Sequence, residues 1–335
     1  EGLDVLAART GVNLSQSIAY VSNNGNNTGI TPELGNPLKP FLTIKNGLDA
    51  VGSYGRVLVA PGTYTENLSG NNRVAVSLIM NGVILNGNVS IIAGANGFKY
   101  VEMYGSTING TFRLDNGFLK GGKINGQCLF FSSDVSDLII NNTSGFGMSG
   151  GNTNKFFNCE ITGSTIAIRR CFNSEYNNCT IIGANCWEDL NSTSTVFNNC
   201  DLISTGKTLI GSNREVNAIL NNCNIKSSTA ENIDFSANTL ELKAKNCSFS
   251  SPTSNLLIST ITLNRTVNEQ TTFESCSFVA GATGAILVEP ASYSADAGTT
   301  LFINCTINKS SITNVTPLRV TEHNTYSFLN LQDFA

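Results

Sequence analysis

The chain has 335 residues, 41% of them hydrophobic and only 13% charged, with 31 glycines, so it can bury a long core and cover its outside with Asn, Ser and Thr rather than with charge. A formal net charge of −4 provides no basic stripe for a nucleic-acid partner, and no apolar run reaches the roughly 18 residues that a membrane-inserted helix needs. Glu1 opens the chain with neither a methionine nor an apolar signal segment, so the sequence is expected to be processed or part of something longer.

Residues 1–18 form a separate N-terminal segment, in which Leu3, Leu6 and Ala7 of "EGLDVLAARTGV" make a short apolar stripe. It reads as a linker, or as an oligomerisation or attachment segment that packs on its own copies. Residues 19–66 read as strand, Gly/Asn-rich loop, a helix from Phe41 to Val51 opening just after Pro40, a strand from Arg56 to Ala60 and a turn at Pro61-Gly62. Phe41, Ile44 and Leu48 lie on one stripe of that helix. A helix of this kind is the expected cap for the open end of a stacked sheet.

From residue 67 to 310 the chain repeats itself. Seven cysteines, Cys159, Cys179, Cys200, Cys223, Cys247, Cys276 and Cys305, follow one another at gaps of 20, 21, 23, 24, 29 and 29 residues, the period of a solenoid. Two places after each lies Ile161, Ile181, Leu202, Ile225, Phe249, Phe278 or Ile307, and three places before lies Phe156, Tyr176, Phe197, Leu220, Ala244, Phe273 or Phe302. The two apolar columns have opposite parity along a strand, so the chain must bend between them. Asn158, Asn178, Asn199, Asn222, Asn246 and Asn304, with Ser275 in the sixth repeat, fill that bend, because Asn tolerates left-handed backbone and bonds its own main chain. A third apolar patch follows each cysteine, as at Ile166 and Ile168 or Leu209 and Ile210. Three short strands per coil make an all-β parallel β-helix.

Upstream, "YGSTING" at Tyr104 to Gly110 and "KGGKING" at Lys120 to Gly126 carry the same pattern with glycine or serine in place of cysteine. Coils of 20 to 25 residues from Arg56 to Ile307 give roughly eleven, stacked about 4.8 Å apart into a rod on the order of 50 Å long. Residues 311–335 are left as a C-terminal strand or cap. Parallel cysteines at that spacing lack the converging Cβ geometry of a disulfide, so the seven are expected to be buried free thiols. Cys128, Cys171 and Cys186 fall outside the column and stay unassigned. Reduced thiols favour assembly in a cytoplasm, and sequons such as Asn178-Cys179-Thr180 lie inside corners where a glycan would block stacking.

The segments "YVSNNGNNTG", "KPFLTIKNGLDAV" and "VLVAPGTYTENL", in this order and followed by N-C-x-[I/L/F] coils, resemble the opening of pectin-lyase-like right-handed parallel β-helix proteins across Ala19 to Ile307. Among them the Asn/Thr/Ser-rich, low-charge chain is most similar to phage tail spikes and fibres. That resemblance implies a homotrimeric virion appendage, assembled in the bacterial cytoplasm, that meets other virion proteins and a host cell-surface glycan. It implies no cofactor, and no metal is expected. The fold also hosts polysaccharide hydrolases and lyases and bacterial surface adhesins. The N-T-D, Asp-Asp, G-H-G and R-I-K motifs of polygalacturonase-like enzymes are missing, as is the acidic cluster of pectate-lyase-like ones, and His323 in "TEHNTY" reads as a loop residue.

Two clusters are candidate sites. Glu160 and Asp201 stand one place after their cysteines and two rungs apart, about 9.6 Å, near the upper end of the spacing used by inverting glycosidases. The alternative is a pair of solvated carboxylates. Arg169 and Arg170 would stack near Glu188 and Asp189 beside Trp187, the single tryptophan. That grouping reads either as a glycan contact, with a sugar ring on the indole and charges on its hydroxyls, or as an inter-rung salt bridge with a partly buried Trp.

Overall fold

The computed structural model describes residues 18–24, 32–69, 76–91, 99–189, 194–211, 216–228, 233–234, 240–251, 256–259, 271–280, 286–287 and 300–307. The expectations placed on residues 1–17, on residues 311–335 and on His323 lie outside them. The chain divides into two compact units, Glu1–Asn141 and Asn142–Ala335, and both are parallel β-solenoids.

In the first unit one face stacks six parallel strands in chain order: β1 (Ile18–Val21), β2 (Arg56–Val59), β3 (Ser77–Asn81), β4 (Lys99–Tyr104), β5 (Gly117–Lys120) and β6 (Asp134–Ser136). The register places Ala19, Val57, Leu78, Val101, Leu119 and Val135 in one file. All six are buried, so each rung adds one aliphatic side chain to a continuous core. In the second unit the equivalent face stacks seven parallel strands, from Lys155–Phe157 to Thr300–Ile303. The coil count therefore departs from the expected eleven. Tyr100, Phe118 and Asp134 share a file, so these early turns take 18 and 16 residues rather than 20 to 25, and β1 adds a rung ahead of Arg56.

The helix, α1 (Ile44–Ala50), is shorter than expected. Thr43 caps it, its Oγ1 accepting from the Asn46 N–H at 3.2 Å, and the Glu66 carboxylate accepts from the N–H groups of Ile44 and Lys45, both at 2.8 Å. With its first-turn donors satisfied there, the helix cannot extend back to Phe41. It packs against β1, β2 and the strand Leu68–Ser69 through Ile44 and Gly47. A Cβ on Gly47 would meet Val21 Cγ2 at 2.7 Å, so the glycine lets the helix lie directly on the strands.

Corners repeat as strictly as strands. In the first unit Asn109 donates to Asn86 and Asn125 to Asn109, both at 2.8 Å, and the next residues stack backbone on backbone. A Cβ on Gly110 would fall 2.3 Å from the Gly87 carbonyl oxygen, and one on Gly126 only 2.1 Å from that of Gly110. In the second unit every corner residue before cysteine is left-handed, with φ between 51° and 54° for the six asparagines and 53° for Ser275. This is the conformation the Asn column predicts. The cysteine slot upstream is filled by Val83, Ser106, Gly122 and Leu138, following the left-handed Gly82, Gly105, Gly121 and Asp137.

Phe156, Tyr176, Phe197, Leu220, Ala244 and Phe273 form one buried file of the second unit. Its first three rings stack face to face at 4.8 and 5.0 Å, the spacing of the rungs. On the far side of the corner Ile161, Ile181, Leu202, Ile225, Phe249 and Phe278 form a second buried file. The expected three separate strands per coil are modified here. Glu160–Phe172 and Thr180–Asp189 are single strands, and the first turns through a register shift between Gly163 and Ile166 instead of breaking.

All ten cysteines are buried and none forms a disulfide, which includes Cys128, Cys171 and Cys186. Each repeat thiol rests against carbonyls: Cys223 Sγ donates to Phe197 O of the preceding rung and to Asn221 O, both at 3.3 Å, and Cys247 Sγ does the same to Leu220 O and Lys245 O. Burial pushes the Cys128 and Cys186 thiols well above the ordinary range.

Three outcomes are expected. A thiol reagent should count ten cysteines only after denaturation, and non-reducing mass spectrometry should find no bridge among them. Cys223→Asp should lower stability by on the order of 3 kcal/mol, because it sets a carboxylate among apolar rungs. Asn224→Asp, one residue on, should stay within about 0.5 kcal/mol, and comparative thermal melts check the pair. Gly126→Ala should cost about 2–4 kcal/mol in the same assay, because the new methyl meets backbone that cannot move aside.

Candidate functional site

The residue after each repeat cysteine from Cys159 to Cys276 faces outward, and the register sets Glu160, Thr180, Asp201, Asn224, Ser248, Ser277 and Thr306 in one file. Glu160 and Asp201 are both exposed and stand two rungs apart with Thr180 between them. The pair therefore sits on an open polar surface.

Beyond Asp201 the same corner opens into a shallow groove of about 330 Å³. Its walls come rung by rung from Asn222-Cys223-Asn224, Asn246-Cys247-Ser248, Ser275-Cys276-Ser277 and Asn304. No charged side chain lines it. The corner amides are tied along the stack, Asn178 to Asn158 at 3.4 Å, Asn222 to Asn199 at 3.1 Å and Asn246 to Asn222 at 3.2 Å. Asn222 both donates and accepts in this chain, using one N–H and one oxygen lone pair, which leaves bonding capacity on its amide for water or a ligand. The groove can bind neutral, hydroxyl-rich groups through hydrogen bonds, and neither a histidine nor a carboxylate lines it. Residue-by-residue reading of the sequence missed it, although the Asn column and the polar +1 column that build it are both visible there.

The Arg/Trp cluster resolves differently. Arg169 pairs in register with Glu188, its Nε 3.2 Å from the carboxylate. The approach is off-line, since Nε makes no hydrogen bond, and the guanidinium is held on its other side by the Phe146 ring at 4.6 Å. Arg170 is exposed, with a left-handed φ of 54°. Asp189 pairs with Gly211 along the backbone, and its side chain lies outside the description. Trp187 is not a sugar platform. Its indole is 0% exposed and meets Phe197 edge to face at 6.2 Å. Strand alternation is the reason: with Glu188 outward, its neighbour must point to the core. The structure contains an inter-rung ion pair between Arg169 and Glu188, with Trp187 fully rather than partly buried.

No protein-family model matches the sequence, and no curated protein matches it. Among solved structures, pectate lyase Pel9A superposes with a TM-score of 0.51 at 12% identity, covering 92% of this chain and 90% of that one. The fold is that of the pectate-lyase-like parallel β-helices. The A-module of mannuronan C-5 epimerase AlgE4 from Azotobacter vinelandii is also similar, with a TM-score of 0.48 and 12% identity over 86% of this chain and 95% of that one. A third is tailspike protein gp49 of Acinetobacter baumannii bacteriophage Fri1, described as a capsular polysaccharide depolymerase, at 0.41 and 12% over 98% and 65%. No helix among the described residues is long and apolar enough to cross a membrane.

The buried indole has a direct optical consequence. Trp187 emission should be blue-shifted and resistant to iodide quenching, and it should not respond to added oligosaccharide. Emission typical of a solvated indole would mean that this strand is turned over.

Proposed function

We propose that this β-solenoid is a non-enzymatic appendage domain that attaches to a cell-surface polysaccharide through its uncharged outward corner. The observation that carries the reading is the groove lined rung after rung by Asn and Ser, without a carboxylate or a cation. Such a surface can hydrogen-bond sugar hydroxyls at a regular repeat, and its donors are fixed in advance by the solenoid, which reduces the ordering cost of binding. Attachment to a host by a virion appendage, as a homotrimer joined to other virion proteins, is the setting that the sequence resemblance suggests. The residues outside the groove, Arg169, Arg170, Glu188 and Asp189, then serve the scaffold.

A second reading, a polysaccharide depolymerase on the same scaffold, is favoured by one observation: Glu160 and Asp201 stand two rungs apart on an exposed face. The two readings part on turnover. Capsulated bacteria incubated with the protein should be decorated without loss of capsule, and no new reducing ends or unsaturated sugars should appear. Asn246→Ala with Ser248→Ala should weaken decoration at least about tenfold. Release of capsular fragments that is abolished by Glu160→Gln or Asp201→Asn would establish the enzymatic reading instead.

A further inference from the structure

The outward face of β4 and β5 gathers three aromatic rings at exposed positions. Tyr100, Tyr104 and Phe118 are 39%, 46% and 37% exposed. Tyr100 and Phe118 are register partners, with ring centroids 6.1 Å apart and planes tilted by 44°. Glu102 and Lys120, also register partners, stand one alternation further along the same two strands, and Asp134 of β6 follows Phe118 in its file. The neighbouring Glu102 carboxylate, within reach of the Tyr100 phenol, is the leading cause of that group's raised pKa. In the second unit the positions equivalent to Phe118, counted back from the left-handed corner residue, hold Lys155, Glu175 and Val196 in one file. Sheet stability therefore does not require aromatic rings at such places.

We propose that Tyr100 and Phe118 form a stacking platform for a neutral oligosaccharide, with Tyr104 extending it and Glu102 and Lys120 bonding the hydroxyls at its margin. The ring faces offer the C–H side of a pyranose an apolar, weakly negative surface, and the adjacent carboxylate and ammonium supply an acceptor and a donor for its edge. Charge favours a neutral glycan over an acidic one or a nucleic acid, since Glu102 and Asp134 border the rings directly, while of the cations Lys120 stands beside them and Arg56 lies two rungs away in the file of Tyr100. Area selects against a second copy of the chain. Two rings exposed by about two fifths offer on the order of 150 Å², far below the roughly 800 Å² per partner of a stable interface, whereas one or two sugar units need no more. The platform adds a specific contact to the attachment reading and rests on it for the class of ligand.

The test uses the intact protein on an array of isomaltohexaose, cellohexaose and N-acetylchitohexaose, with hexagalacturonate as the acidic control. At least one neutral hexasaccharide should bind. Tyr100→Ala and Phe118→Ala should each weaken it at least about tenfold, while Phe118→Trp and Tyr100→Phe keep most of the affinity and Phe157→Ala, an exposed ring of the second unit, changes nothing. Thermal melts of all variants should match the parent, because the substituted rings are surface residues. Binding that is absent, unchanged by both alanine variants, or stronger for hexagalacturonate overturns the proposal. So does a drop in oligomer mass of the alanine variants in ultracentrifugation, which would make the face a contact between copies. Adhesion to capsulated bacteria separates the two levels: a double variant that still adheres sinks the platform and leaves attachment standing, whereas a parent protein that does not adhere sinks attachment itself.

Discussion

Everything in this molecule answers to one constraint, the parallel stacking of successive coils in register about 4.8 Å apart. A residue in such a stack meets its own equivalents above and below before it meets anything else. Only side chains that tolerate a copy of themselves at that distance can occupy a column for long. Aliphatic groups do so by dispersion, aromatic rings by stacking, and amides by passing a hydrogen bond along the file. Glycine does so by leaving no side chain at all, as where the Gly110 and Gly126 backbones touch. Like charges cannot, which is why only 13% of the chain is charged and why Arg169 is answered by Glu188 on the next rung.

The corner is where this constraint meets backbone geometry. Leaving one sheet for the next requires a left-handed residue, and for a residue with a Cβ that conformation is least unfavourable for asparagine. The asparagines thus serve the backbone and the stack together. Their amide ladder turns a sequence of unfavourable φ values into a line of bonded amides, and the buried thiol beside each one fills the inside of the bend, from Cys200 onward resting on two carbonyls. No disulfide joins one corner to the next.

The functional surface follows from the same economy of charge. A solenoid that excludes charge from its columns presents long files of neutral donors and acceptors, and these suit carbohydrate better than protein or nucleic acid. The aromatic face of β4 and β5 is notable against that background, because the outward file that sets Glu175 on Lys155 in the second unit stacks Phe118 on Tyr100 in the first. Both surfaces are rigid, since each is built on strands bonded to neighbours on both sides.

The fold was legible in the sequence because a repeat writes the same physical requirement many times over. The cysteine period, the Asn column and the two apolar columns of opposite parity identified strand, corner and strand, and each file was then found buried or exposed as its column required. What the sequence could not determine was which residues from different coils share a surface. Turn length varies from 16 residues to 29, so the number of rungs and the partners of Tyr100 and Phe118, eighteen positions apart, are set only when the coils are stacked. The inward turn of Trp187 was readable in principle from its place beside Glu188, but the acidic pair Glu188-Asp189 that follows it suggested exposure, and only packing against Phe197 showed which face wins. Helix α1 began late for a similar reason. The group that satisfies its first N–H donors, Glu66, lies 22 residues beyond Ile44, and no local pattern reveals a cap supplied from that distance.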